Sequence, residues 1–367
     1  MKKRIALLGA TGSIGKSSLD IISRDKERFE VVFLSAHSNS AALGLLSEQF
    51  PTAVCVLAED NGDNLCRSIE EAKPDVTING ISGAAGLLPS IAAINCGSDL
   101  ALANKETIVM AGNLVNHLAK EKKVNIIPVD SEHSAVFHLL KSFSKADNKN
   151  TVNEIILTAS GGPFRNYDIK AMENVTVEEA LSHPTWNMGT KIPIDSASMA
   201  NKGLEIIEAC KLFNFSPEKI KVVIHPQSIV HSMIRLSNGV IYAQLSKPDM
   251  RHPVHDALYW PEIFPLNLDL LDFDSLSLEF YKPDLQKFPM LNLAREAVEN
   301  GALYTCAYNA ANEIAVNAFL DKKIRFTDIP RITEQVLKLN WNGDEMSLSA
   351  ILLADSEARL RAISFIK

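Results

Sequence analysis

The sequence predicts an α/β protein with three parts: an N-terminal Rossmann-like doubly wound domain, a central α+β catalytic domain and a C-terminal helical domain. Three observations carry that expectation. Short apolar runs alternate with helical runs over the first 128 residues, as βαβ units around a parallel sheet do. A glycine-rich segment, Gly9-Ala10-Thr11-Gly12-Ser13-Ile14-Gly15, joins the first such run to the first helix. Beyond residue 290 helical periodicity dominates.

Taken in order, strands are expected at 5–8, 31–36, 53–57, 75–80, 99–103 and 124–129, where Val, Ile, Leu and Ala cluster in short runs. Helices are expected between them at 14–23, 41–49, 87–95 and 109–122. Residues 1–128 therefore form one nucleotide-binding domain. The stretch 141–153 is polar and rich in Lys and Asn, and reads as a loop. Strands at 154–158, 222–225 and 240–245 belong to a catalytic domain over 129–260. Several prolines make 261–289 a linker. In 290–367, Leu293, Ala297, Ala310, Ala311, Ile314, Ala315, Ala318 and Phe319 recur at helical spacing.

Composition narrows the function. The chain has 367 residues, 46% apolar and 22% charged, which excludes wholesale disorder, collagen-like repeats and a disulfide scaffold. Net charge is 37 minus 44, or −7, which argues against nucleic acid as a partner. Five cysteines, Cys55, Cys66, Cys96, Cys210 and Cys306, form no C-x-x-C pair and read as reduced core thiols of a cytoplasmic protein. The apolar run after Lys2-Lys3-Arg4 stops at Gly9, too short for a secretory signal. No run reaches the roughly 18 uncharged apolar residues that a membrane span needs. A soluble protein acting on a small molecule is expected.

Candidate sites follow from motifs. Glycines after a first strand permit a tight turn and close approach to a pyrophosphate, which then meets the positive end of the first helix; the bland alternative is an ordinary βα turn. The second strand ends in Ala36-His37-Ser38-Asn39, without the carboxylate that would hold an NAD ribose, so NADP is favoured. In Pro128-Val129-Asp130-Ser131-Glu132-His133-Ser134, an extended backbone would point Asp130 and Glu132 to one side, a pair suited to a hard divalent cation; a charged turn or a helix N-cap is the alternative. In Asp195-Ser196-Ala197-Ser198-Met199-Ala200-Asn201-Lys202-Gly203-Leu204-Glu205, Asn201 and Glu205 share a helix face and Lys202 lies one turn before Glu205. Such a group can hold a phosphate and complete a metal site, or be a plain surface pair. Lys105 follows a strand, where an ammonium can meet an oxyanion. Ser160-Gly161-Gly162 offers a small phosphate cradle. Trp186, in a polar loop near 182–191, suits a lid, or else plugs a domain interface. His225, His231, His252 and His255 read as structural.

Together these segments resemble the 1-deoxy-D-xylulose 5-phosphate reductoisomerase family. The resemblance runs through 9–15, 102–106, 128–135, 160–164, 183–205, 225–233 and 309–313, in order along nearly the whole chain. It implies an oxidoreductase of non-mevalonate isoprenoid precursor synthesis that rearranges and reduces 1-deoxy-D-xylulose 5-phosphate to 2-C-methyl-D-erythritol 4-phosphate. NADPH and Mg²⁺ or Mn²⁺, with Co²⁺ a third candidate, are the implied cofactors, and a homodimer the implied assembly. Carried over residue by residue, Thr11, Gly12, Ser13, Ile14, His37, Ser38, Asn39, Asn104, Glu106 and Gly189 meet the cofactor. Asp130, Glu132 and Glu205 bind the metal. Lys105, Ser131 and Glu132 contact the reacting end of the substrate. Ser160, His183, Ser196, Asn201 and Lys202 hold its phosphate, and Trp186 and Met188 form the lid. Lys105, Asp130, Glu132 and Glu205 form the implied catalytic set. Family members often carry Gly-Lys or Gly-Arg where this chain has His37-Ser38. Two rivals remain: an NADP-dependent dehydrogenase of another phosphorylated substrate, and a non-catalytic NADP-binding sensor.

Overall fold

The computed structural model describes residues 1–58, 62–143, 151–182 and 191–366. The chain forms two compact units. The first comprises Met1–Thr107, Val115–Ser134 and Asp249–Leu268; the second comprises Ile108–Leu114, Ala135–Pro248 and Asp269–Lys367.

The first unit is built on a six-stranded parallel sheet in the order β3-β2-β1-β4-β5-β6. Its strands are β1 (Lys3–Leu8), β2 (Phe29–Ala36), β3 (Val54–Leu57), β4 (Val76–Asn79), β5 (Asp99–Leu102) and β6 (Ile126–Pro128). Helices α1 (Ser13–Arg24), α2 (Ser40–Gln49), α3 (Gly62–Ala72), α4 (Leu87–Asn95) and α5 (Lys105–Lys122) follow the strands in turn. Strands covered on both faces must be apolar throughout, and Ile5, Leu7, Phe33, Leu34, Ile78 and Leu100 are buried. Helix α3 is absent from the sequence expectation: its polar face hides the period of Leu65, Ile69 and Ala72, which are buried. Helix α5 starts four residues earlier than expected, because Asn104 caps it by accepting from Thr107 N at 2.9 Å. It kinks at Ala111 (φ −134°, ψ 25°).

The segment after β6 also departs from expectation. Ser131 begins a helix, α6 (Ser131–Ser142), so Asp130 and Glu132 do not lie on an extended strand. Asp130 sits at the cap of this helix, where Glu132 N donates to its carboxylate at 3.3 Å.

The second unit carries a mixed four-stranded sheet, β10-β9-β7-β8, of β7 (Val152–Ala159), β8 (Ile220–Ile224), β9 (Val230–Leu236) and β10 (Ile241–Leu245). Strands β7 and β8 are parallel, and β9 runs antiparallel to both β7 and β10. Its helices include α7 (Val177–Leu181), α8 (Lys191–Ala197) and α9 (Ala200–Phe213). Helix α10 (Arg251–Tyr259) belongs to the first unit, where it packs on α1. After the irregular stretch 261–289 come α11 (Met290–Asn300), α12 (Tyr304–Leu320), α13 (Asp328–Leu337) and α14 (Leu348–Ser364). The single helix expected to open near 194–205 is two, α8 and α9, broken where Met199 adopts a left-handed φ of 62°. None of the five cysteines is in a disulfide, and burial pushes the Cys210 and Cys306 thiols up to about 12, which keeps them unreactive.

Candidate active site

The glycine loop lies at the carboxyl end of β1, where the sheet order reverses between β1 and its neighbours β2 and β4. Gly9 has φ +77°, and a Cβ there would sit 3.0 Å from the Gly80 carbonyl oxygen at the end of β4. A Cβ on Gly15 would lie 2.3 Å from the Ala10 carbonyl oxygen, so only glycine lets α1 press against its own entry turn. Gly12 is the N-cap and brings no capping side chain, which leaves the first-turn N–H groups of α1 to a ligand. Thr11, Ser13 and Ile14 flank it and are at least partly exposed.

His37, Ser38 and Asn39 lie exposed at the carboxyl end of β2, and Asn39 caps α2 by accepting from Ala42 N at 3.0 Å. Asn104 and Glu106 are buried and bond inward. Asn104 Nδ2 donates to the carbonyls of Ile81 at 2.7 Å and Gly83 at 2.9 Å, while Glu106 accepts from Gly83 N at 3.2 Å. They shape the loop after β4.

Lys105, at the first turn of α5, meets Asp130 at the end of β6. Its Nζ stands 2.5 Å from the carboxylate, and the two side chains are only 11% and 15% exposed. Burial alone pushes the Asp130 carboxyl up; the Lys105 ammonium and His133 outweigh it and hold the acid well below the usual carboxylate range. His133 Nδ1 lies 3.6 Å from Asp130 and the ring is fully buried. Sequence reasoning gave His133 no role, although its place three residues after Asp130 at a helix start was a usable signal. Ser131 Oγ donates to Glu132 at 2.6 Å.

In the second unit, α9 brings Asn201, Lys202 and Glu205 together as their spacing predicts. Glu205 accepts from Asn201 Nδ2 at 2.6 Å and from Lys202 Nζ at 2.5 Å, and Glu205 and Lys202 are 0% and 3% exposed. A surface pair is excluded. Gly161 (φ +84°) and Gly162 (φ +65°) turn the chain sharply after β7, and Gly162 N donates to Ser160 Oγ at 3.2 Å. A Cβ on Gly162 would fall 2.7 Å from the Ser196 carbonyl oxygen, so this loop packs directly on the end of α8. His183, Trp186, Met188 and Gly189 lie outside the described residues.

His225 and His231 make core hydrogen bonds, as expected. His225 Nδ1 pairs with the Glu279 carbonyl at 2.8 Å, its Nε2 accepts from Val230 N at 3.1 Å, and His231 pairs with Ser246 at 2.8 Å. His252 and His255 lie on α10.

A parallel sheet of this order with a glycine loop at its switch point defines a dinucleotide-binding α/β protein, and buried lysine–carboxylate pairs suit charge developing on a substrate. The class is an oxidoreductase. Comparison with known proteins makes the class particular. The family described as 1-deoxy-D-xylulose 5-phosphate reductoisomerase matches residues 5–70 and 60–112, and its C-terminal domain descriptions match 126–213 and 245–361. The chain is 48% identical to a 1-deoxy-D-xylulose 5-phosphate reductoisomerase of Treponema denticola, covering 99% of this chain and 96% of that one. It is 46% identical to that of Pelodictyon phaeoclathratiforme over 99% of this chain and 100% of the other. Among solved structures, the Zymomonas mobilis reductoisomerase in complex with NADPH is similar at TM-score 0.90 and 38% identity over 100% of both chains. A reductoisomerase in complex with NADPH, fosmidomycin and magnesium is similar at TM-score 0.92 and 38% identity, over 99% of this chain and 98% of that one. The chain belongs to the 1-deoxy-D-xylulose 5-phosphate reductoisomerase family. It is an enzyme of isoprenoid precursor synthesis that rearranges and reduces that sugar phosphate. Among the described residues no helix is long and apolar enough to cross a membrane.

Proposed function

We propose the following division of labour for the conversion of 1-deoxy-D-xylulose 5-phosphate to 2-C-methyl-D-erythritol 4-phosphate. The glycine loop with Thr11, Gly12, Ser13 and Ile14 binds NADPH, assisted by His37, Ser38, Asn39 and Gly189, with Asn104 and Glu106 shaping the adjoining loop. Asp130, Glu132 and Glu205 hold Mg²⁺ or Mn²⁺. This donor set fits: all three are carboxylates, and oxygen donors suit a hard ion rather than zinc. Bound there, NADPH would supply the hydride and the cation Lewis-acid stabilisation of developing negative charge.

The chain's own groups do the rest. Lys105 places an ammonium where negative charge develops as the carbon skeleton rearranges. Ser131 and Glu132 orient the reacting oxygens. Ser160, Ser196, Asn201 and Lys202, joined by His183, hold the phosphate, whose binding energy aligns the distant reacting carbons. Trp186 and Met188 close over the substrate and exclude water. The observation that carries this reading is Glu205, fully buried and held by both Asn201 and Lys202. A buried carboxylate–ammonium pair costs desolvation that apolar residues would avoid, so its presence here supports a chemical role.

The chain acts in the cytoplasm as a homodimer. Support for the dimer is the edge strand β10 with its flank, where Val240, Ile241 and Tyr242 are 47%, 43% and 44% exposed, an apolar edge that another chain would cover. The test of function is NADPH absorbance with the sugar phosphate and Mg²⁺ or Mn²⁺, repeated with EDTA. Substrate-dependent loss abolished by EDTA, with a branched product, is expected. Loss that EDTA spares would favour a plain dehydrogenase, and NADPH binding without turnover a sensor.

A further inference from the structure

We infer that Asp195 and Asn312 are positioning residues for the phosphate end of the substrate, acting through the short helix α8; this rests on the assignment of Ser196 to phosphate above. Asp195 immediately precedes Ser196 and is 2% exposed. Both of its carboxylate oxygens are engaged: Oδ2 accepts from Lys191 Nζ at 2.7 Å on the same helix, and Oδ1 accepts from Asn312 Nδ2 at 2.8 Å on α12. Asn312 is fully buried. The C-terminal helices thus send one amide to a carboxylate that adjoins a phosphate ligand.

Helix α8 has seven residues, far fewer than the roughly 12–15 that an isolated helix needs, so tertiary contacts set its position. Two contacts do so. The Asp195–Asn312 bond fixes it on α12, and the bare Cα of Gly162 admits the Ser196 carbonyl on the other side. The same helix α12 also sets α9. Tyr308 donates to the Met290 carbonyl at 3.2 Å, and a Cβ on Gly203, next to Lys202, would strike the Tyr308 hydroxyl at 2.3 Å. Ser196 and Lys202 are therefore placed by one face of α12.

The arrangement is poorly explained as a stability device. Asn312 Oδ1 is buried without a hydrogen-bond partner, a cost of about 1–3 kcal/mol that an apolar side chain would not incur. The amide is oriented for Asp195 at the expense of its own oxygen. A buried polar pair of this kind specifies geometry.

The test uses Asn312→Leu, Asn312→Asp and the exchange of both, Asp195→Asn with Asn312→Asp. The exchange preserves both contacts, since an amide at 195 accepts from Lys191 and donates to a carboxylate at 312. Each single change is expected to raise KM for the sugar phosphate and the inhibition constant of inorganic phosphate together, by about tenfold for one lost charge-assisted bond. KM for NADPH should stay within about twofold, and the exchange should recover most of the loss. Folding is checked by melting temperature, and Asn312→Gln serves where Asn312→Leu does not fold. If melting temperature falls while both phosphate parameters stay put, or if KM for NADPH rises equally, the residues are structural and the inference fails. Ser196→Ala is the control: unchanged phosphate parameters there would remove the underlying assignment, and the inference with it.

Discussion

Lys105 and Lys202 each pair with one of the carboxylates proposed to hold the metal, at 2.5 Å in both cases. Breaking a buried pair strands the partner, which typically costs about 3–5 kcal/mol. Glu205→Gln should therefore lose both stability and activity, with the metal concentration for half-maximal rate shifted upward; near-normal turnover at low metal would exclude Glu205 as a ligand. Lys211 shows the opposite use of charge. Burial pushes its ammonium down to about 8, although its Nζ donates to Thr305 Oγ1 at 2.8 Å and to the Val109 carbonyl at 3.3 Å. Between about pH 8 and the ordinary lysine value of 10.5, the unfolded chain holds a proton that the folded chain has released. Stability contributed at this position thus rises with pH through that window and is lowest below it. Lys211→Met should be more stable than the parent chain near pH 7, with the gap in melting temperature narrowing as pH approaches 10.5; a constant gap would show that Lys211 does not titrate there. Spacing in the sequence revealed the Asn201–Lys202–Glu205 group, because i to i+4 geometry is local. It did not reveal Asp195–Asn312, whose partners are 117 residues apart.

Among the elements, glycines separate the functional turns from ordinary ones. Gly15→Ala should cost several kcal/mol and abolish NADPH binding, because the added Cβ would meet backbone at 2.3 Å and push α1 off its turn. Gly44, exposed within α2, has nothing within 4 Å of its would-be Cβ, and Gly44→Ala should stabilise by about 0.5–1 kcal/mol through helix propensity alone. Thermal melting of the two variants side by side tests both statements; equal effects would refute the packing account. Most strands were legible because buried parallel strands must be apolar. Element boundaries were less so: α5 and α6 begin at Asn104 and Asp130 caps, where a polar residue reads equally as loop.

For the whole molecule, the chain passes between its two units five times, since Ile108–Leu114 of α5 belongs to the second, Val115–Ser134 to the first, and Asp249–Leu268 returns to the first after Ala135–Pro248. No composition shift marks those crossings. The proposed dimer makes a prediction at this scale. Sedimentation of the parent chain should give a dimer, and Ile241→Lys with Tyr242→Lys should shift it toward monomer at micromolar concentration, because charges on an edge strand oppose pairing. A parent monomer would refute the assembly; an unchanged dimer in the variant would move the interface elsewhere.

The sequence by itself determined the doubly wound sheet, the glycine loop and the identity of the charged residues, because apolar periodicity, turn chemistry and helical spacing are local properties of the chain. Tertiary structure decided what those charges do. It buried Glu205 with Lys202, paired Lys105 with Asp130, added His133, and drew Asn312 onto Asp195. Burial and long-range partners set the energy of a charge, and neither is written in the neighbouring residues.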